Sequence, residues 1–248
     1  MNVTMQRLAA WCGPVAMIGF LIGWGALCGF IPMPSSSESA LEVQRMYLDR
    51  QTLIQVGLVV TMLASALIAP LIAGVFVHLR RIEGQNAVLA YTQLGLGMLL
   101  PILFIIPCFL LQVAAFRPER DADLVQAFND AGMLPFVGGF YATLLQVIVV
   151  GIAILRDREQ QIFPRWVGWF NLWVALAMMP DVLIFFFKTG PFSWRGIAPF
   201  YIIVVAFCAW FFIMGWAVHR AATRQAEEAA RAVAPDREHQ PEPEPVLA

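Results

Sequence analysis

Asp181 stands seven residues before Lys188, the only lysine among 248 residues, in the otherwise apolar stretch MMPDVLIFFFKTGPFSWRG (178–196). A carboxylate in such a setting can take up and release a proton, or hold a cation. An aspartate at the centre of a membrane helix costs about 2.5–3.5 kcal/mol. Asp181 falls about a turn and a half from the end of its apolar run, where the cost is smaller. Pro180 loosens the helix just before it. Lys188 shares its helical face but lies about 10 Å farther along the axis, and its stem snorkels outward. Arg195, Gln112 or another helix is therefore as good a partner for the carboxylate. The competing role is structural, as an anchor or a protonated carboxyl.

Uncharged polar residues recur in the apolar segments: Gln93, Gln112, Thr143, Gln146 and Asn171. Such groups hold helices together at about 0.6 kcal/mol each, or they line a polar path. The candidate intramembrane polar site is accordingly Asp181, Lys188, Arg195, Gln112, Gln146 and Asn171. His78 and His219 could in principle hold a haem axially. Each sits at a helix end and is closely followed by arginine (Arg80, Arg220), as in residues that anchor a helix, so no cofactor is expected. Cys12, Cys28, Cys108 and Cys208 are scattered without metal spacing. They read as buried thiols, with a Cys28–Cys108 bridge left open, and no metal is expected. Nucleophile-elbow, metalloprotease, P-loop and dinucleotide signatures are absent. No catalytic residue is assigned, and the balance leans away from an enzyme.

The elements that position these residues follow from composition. The hydrophobic fraction is 60% and the charged fraction 13%, against about 45–50% and about 25% in soluble domains. A core of this size cannot hide so much apolar surface, so the remaining solvent is lipid. Net charge is −1, which excludes a general nucleic-acid binder. Six segments reach the roughly 20 apolar residues a membrane helix needs: 9–31, 53–78, 87–115, 133–155, 166–187 and 197–219. The fold class is all-α, a six-helix transmembrane bundle over 1–220. The first segment is too long for the core of a signal peptide. Prolines in the spans, such as Pro14, Pro101, Pro107 and Pro180, predict kinks. Tryptophans near the span ends, Trp11, Trp24, Trp166, Trp169, Trp194 and Trp216, predict an aromatic belt.

Orientation follows the basic residues. The N-terminus and the loops near 80, 160 and 220 hold Arg7, Arg80, Arg81, Arg156, Arg158, Arg165, Arg220 and Arg224. The opposite side holds Arg45, Arg50, Arg117, Arg120, Lys188 and Arg195. That excess puts both termini in the cytoplasm, with the protein in a bacterial inner membrane. External loops 1 and 3 carry SALEVQRMYLDR (39–50) and DLVQAFNDAG (123–132), which read as short amphipathic interfacial helices. Ser39 with Glu42, and Ser35 with Glu38, fit capping boxes. A shift of 81 residues aligns Glu42 with Asp123 and Tyr47 with Phe128, the pattern of a duplicated unit. Residues 221–248 form a cytoplasmic tail. RAATRQAEEAARAVA can prolong the sixth helix, and the Pro- and Glu-rich end reads as disordered.

At AAFRPERDADL (114–124), FPRWVGWFNLWVA (163–175) and FFKTGPFSWRG (186–196) the chain resembles an uncharacterised group of polytopic, about six-helix membrane proteins of high-GC bacteria. The resemblance covers most of residues 5–220 and implies no catalytic or ligand role. The leading functional expectation is transport or shielding of a small apolar molecule, with the lipid bilayer as the constant partner. The alternatives are an accessory protein that binds protein partners through its loops or tail, and a membrane-embedded enzyme or electron carrier.

Overall fold

The structure, a computed structural model, describes residues 3–159 and 162–238, with side chains up to residue 232. Among the described residues every regular element is helical. In chain order these are α1 (Val3–Phe20), α2 (Ala40–Ala66), α3 (Ile68–Glu83), α4 (Val88–Phe116), α5 (Ala122–Gly138), α6 (Tyr141–Arg156), α7 (Arg165–Met178) and α8 (Ile203–Glu238). They assemble into six helical units long and apolar enough to cross a membrane: Val3–Leu27, Ala40–Asn86, Val88–Phe116, Ala122–Arg156, Arg165–Phe185 and Ile197–Ala232. An even number of crossings puts residue 3 and the end of α8 on one face, here the terminal face. The connections 28–39, 117–121 and 186–196 occupy the opposite, loop face. Large apolar side chains such as Leu63, Phe116, Leu176 and Val205 stay exposed on the flanks, where hydrocarbon replaces water as their solvent. The chain is a polytopic membrane protein.

Five of the six spans are irregular, each for a local reason. The first widens from α1 into a π-helical stretch, Leu21–Leu27. Its end is fixed by Gly29 (φ 72°) and by the Arg50 guanidinium, which donates to the Leu27 carbonyl at 3.3 Å. The left-handed φ favours glycine at position 29, and a Cβ there would also displace the Arg50 guanidinium. The second span breaks at Leu67, where the ring of Pro70 opposes the carbonyl four residues back. The fourth breaks between α5 and α6, at Gly139 and Phe140. The fifth tightens from α7 into a 3-10 stretch, Met179–Phe185, because Pro180 has no N–H to continue the α ladder. The sixth opens with a second π-helical stretch, Ile197–Ile202. The third, α4, contains Pro101 and Pro107 yet runs unbroken.

The amphipathic segments of loops 1 and 3 are helical, and each is continuous with the span after it. The first begins at Ser39, whose N–H donates to Glu42 Oε2 at 2.7 Å in the expected capping box. It kinks at Arg50 (φ −127°, ψ 22°) before entering the bundle. The second starts on an Asp121 cap, 3.0 Å from the Asp123 N–H. The two pack on each other, with Tyr47 donating to Asn129 Oδ1 at 3.0 Å and Gln126 to the Glu38 carbonyl at 2.9 Å. The buried face of α5 is Val125 and Asn129, while Leu124 is exposed. At the other end α8 continues to Glu238, so residues 221–238 of the tail are helical. Residues 239–248 lie outside the described set.

α4 is the central element, packed against α2, α3, α5 and α6, while α1 lies along α8 and α6 along α7. All four cysteines are free, and the Cys28 thiol points to the Ile54 carbonyl. The 28–108 bridge is therefore not formed. Trp24 and Trp194, expected in the belt, are buried instead, and Trp194 donates to the Pro34 carbonyl at 2.9 Å. Trp11, Trp166, Trp169 and Trp216 remain exposed, as a belt requires.

Candidate functional site

Asp181 follows Pro180 in the 3-10 stretch, and the tight turn aims its side chain inward. Only 4% of the residue is exposed, and neither carboxylate oxygen has a hydrogen-bond partner. It lines a cavity of about 110 Å³ with Gly138, Phe140, Tyr141, Leu144, Met178 and Val182 among its walls. The rim residues Tyr141, Met179 and Val182 are exposed on the flank of the bundle. Gly138 and Phe140 reach the cavity from either side of the break between α5 and α6, and at Gly139 within that break a Cβ would collide with Leu103 Cδ1 and the Pro135 carbonyl.

Phe140 also lines a second cavity, of about 50 Å³, built almost wholly from apolar side chains of α1, α4, α5 and α8. Its walls include Phe20, Trp24, Phe104, Phe136 and Phe207. Trp24 and Phe136 stack at 3.7 Å between ring centroids, and Phe140 meets Phe207 edge-on at 5.7 Å. Both π-helical stretches contribute, Leu21 and Trp24 from one, Pro199 and Phe200 from the other. A π-helical turn displaces side chains from the α register and recurs at functional sites. Trp24 Nε1 is buried with no partner, so one donor is available in an otherwise apolar chamber. No local pattern in the chain signals this chamber, because its rings are spread over nearly 200 residues and only helix packing gathers them.

The six sequence-nominated residues separate. Lys188 and Arg195 are exposed on the loop face, and neither approaches Asp181. The Lys188 carbonyl accepts from the Ser36 hydroxyl, and the charge of Lys188 acts on Asp130 of α5. The 3-10 turn ends the helix at Phe185, so helical spacing does not carry across to residue 188. Gln112 donates to the Gln55 carbonyl at 2.8 Å, tying α4 to α2. Asn171 is saturated, giving its amide to the Val167 carbonyl at 2.8 Å and accepting from Trp210 Nε1 at 2.9 Å. Both are structural ties. Gln146 is different: it is fully buried and both amide atoms lack partners. His78 packs edge-on to Phe163 at 5.7 Å, and His219 to Trp11 at 5.9 Å. Each imidazole thus rests on its own aromatic neighbour.

Among the described residues no group of His, Cys, Asp or Glu side chains could hold a metal ion. Chemically the site offers apolar volume, one indole donor and one isolated carboxyl. Comparison of the chain with known protein families, with curated proteins and with solved structures gives no match.

Proposed function

We propose that this protein binds a small apolar molecule within the bilayer and transfers or shelters it, in a bacterial inner membrane with both termini in the cytoplasm. The observation that carries this reading is the position of Phe140, one ring that walls both the aromatic chamber and the Asp181 cavity. In this reading that ring is the partition between the two, and its rotation would join them. Their combined space slightly exceeds the ~150 Å³ apolar cavity that suffices for benzene, which sets the size of the ligand. Four local irregularities surround the joint space: two π-helical stretches, the α5–α6 break and the Pro180 turn. Interrupted helices at membrane depth are where transporters build their sites. The exposed rim at Tyr141 and Met179 gives an entrance from the hydrocarbon.

Bromobenzene quenching of tryptophan fluorescence in nanodiscs tests the reading. Saturable quenching at Trp24 should ride on the linear background from lipid partitioning. Val137→Phe, which fills the chamber, should remove the saturable part while leaving the background. Purely linear quenching in the native protein would falsify the proposal.

A further inference from the structure

Most amides and hydroxyls within the spans are bonded. Gln51 and Gln55 both donate to the Ala115 carbonyl. Thr61 and Ser65 donate back to the carbonyls of Gly57 and Thr61. Against that background one set stands apart. His78 Nε2, Gln93 Oε1, Thr143 Oγ1, both amide atoms of Gln146 and both oxygens of Asp181 are buried with no protein partner. Among the described residues of the bundle interior, only Trp24 Nε1 shares this condition; Gln6, Arg7 and His219 belong to the terminal end.

These side chains are not scattered. His78 is five residues from the end of α3 and Gln93 five from the start of α4, so both lie about 8 Å inside the terminal face. Gln146 is ten residues from the end of α6, about 15 Å deep, and Thr143 is one turn farther at about 20 Å. Asp181, sixteen residues from the start of α7 through the 3-10 stretch, is about 25 Å deep. The depths along the bundle axis climb in steps of about 5–8 Å, so the groups form a graded series from the terminal face to Asp181. The helices involved adjoin: α3 packs on α4, α4 on α6, and α6 on both α3 and α7. Gln93 Nε2 reaches toward the Ile72 carbonyl at 3.5 Å, and a Cβ on Gly97, one turn along α4, would lie 3.0 Å from Gln146 Nε2. Thr143 is flanked by Tyr141 and Leu144, which wall the Asp181 cavity.

We infer that His78, Gln93, Gln146 and Thr143 form a hydrated column that delivers protons from the terminal face to Asp181. A proton enters at the His78 imidazole. It leaves from Nε2 to a water held by Gln93 and Gln146, and each further water accepts one proton and passes another on. At the end the Asp181 carboxylate accepts a proton and becomes neutral. One O–H or N–H bond breaks and one forms at every step, so a single positive charge is moved. Among the described residues the charged groups around the path are few. Arg81 lies one turn from His78 on the same helix, its Nη1 3.4 Å from the imidazole Nδ1, with Glu228 of α8 3.9 Å behind it. Tyr141 is the other titratable side chain lining the cavity of Asp181. The column needs no bound ligand, so it stands or falls independently of the chamber.

Carbodiimide modification reads the protonation of a carboxyl in the membrane. The native protein is placed in sealed vesicles sorted by whether the C-terminal tail is open to protease, and Asp181 labelling is followed by mass spectrometry. From an alkaline start on both sides, acidifying the terminal side alone should raise labelling severalfold, and acidifying the loop side alone should not. Gln146→Met and Gln93→Met keep side-chain length but hold no water. Each should abolish the response to the terminal side while leaving the circular dichroism spectrum and monodispersity unchanged. His78→Gln, which keeps hydrogen bonding but not titration, should slow the response. The column is overturned if labelling of the native protein follows only the loop-side pH. It is equally overturned if the folded Gln146→Met and Gln93→Met proteins respond as the native protein does.

Discussion

Trp24 and Phe136 lie face to face, with ring centroids 3.7 Å apart and planes within 2° of parallel, joining the first span to the fourth. In hydrocarbon this contact gains little from expelling water, because lipid solvates a ring as well as protein does. What it provides is shape. Phe136→Ala leaves a void that lipid cannot reach, at about 24 cal/mol per Å³. The expected loss is about 2 kcal/mol, read as a lower midpoint of thermal unfolding in detergent. Phe136→Leu should recover about half of it.

Asp181 should be dispensable for folding and needed for activity. An apolar replacement avoids the desolvation of a carboxyl that has no hydrogen-bond partner. Asp181→Leu is therefore expected to stabilise the purified protein by about 1–3 kcal/mol, and Asp181→Asn to leave it near neutral. In a deletion strain challenged with apolar toxicants, both should fail to complement while accumulating normally, and Asp181→Glu should restore part of the protection. Full complementation by Asn and Leu together removes Asp181 from the functional site.

The Gly29–Arg50 contact predicts non-additivity. Gly29→Ala meets both a left-handed backbone at φ 72° and a guanidinium nitrogen in the space of the new Cβ. The backbone alone costs about 1–2 kcal/mol. In an Arg50→Ala background only that part should remain. A double-mutant cycle on detergent unfolding checks it, and equal effects of Gly29→Ala in both backgrounds would refute the account.

Tyr47 and Asn129 tie the two helical segments of the loop face at 3.0 Å. Tyr47→Phe and Asn129→Ala should couple by about 1 kcal/mol in a similar cycle. The coupling should survive high salt, since neither group is charged.

Reporter fusions test orientation. Fusions after Arg81, after Arg158 and in the tail should report cytoplasm, and fusions near Ser37, Asp123 and Gly190 the outside. A uniform reversal keeps the bundle and inverts it; a mismatch at one loop contradicts six crossings.

The bundle was legible in the sequence because twenty apolar residues in a row admit few other fates. The Ser39–Glu42 box was legible for a similar reason, since two residues three apart suffice to make it. Asp181 announced itself by charge alone. The residues grouped with it lie apart: Lys188 was put on its face by helical spacing, which the Pro180 turn ends at Phe185, and Arg195, named as an alternative partner, is exposed on the loop face. Gln112, Gln146 and Asn171 look equivalent as letters. They differ only in whether a carbonyl of another turn or helix lies within reach, and that is a property of packing. The aromatic chamber was invisible for the same reason, with Trp24 and Phe207 at opposite ends of the chain.

The wide turns at Leu21–Leu27 and Ile197–Ile202 also set a rotational phase. A π turn holds one residue more than an α turn, so each stretch behaves like a single inserted letter. Its effect is about 100° of rotation of the residues in and beyond the stretch relative to the α-helix it joins, α1 for the first and α8 for the second. Removing one residue from Leu21–Leu27 would return an unbroken α-helix and shorten the first span by one step. It would also swing Trp24 away from Phe136, while the segment Val3–Phe20 kept its grip on α8. The chamber is thus written in chain length as much as in residue type: two proteins with the same rings but one fewer residue here would share a bundle and not a cavity.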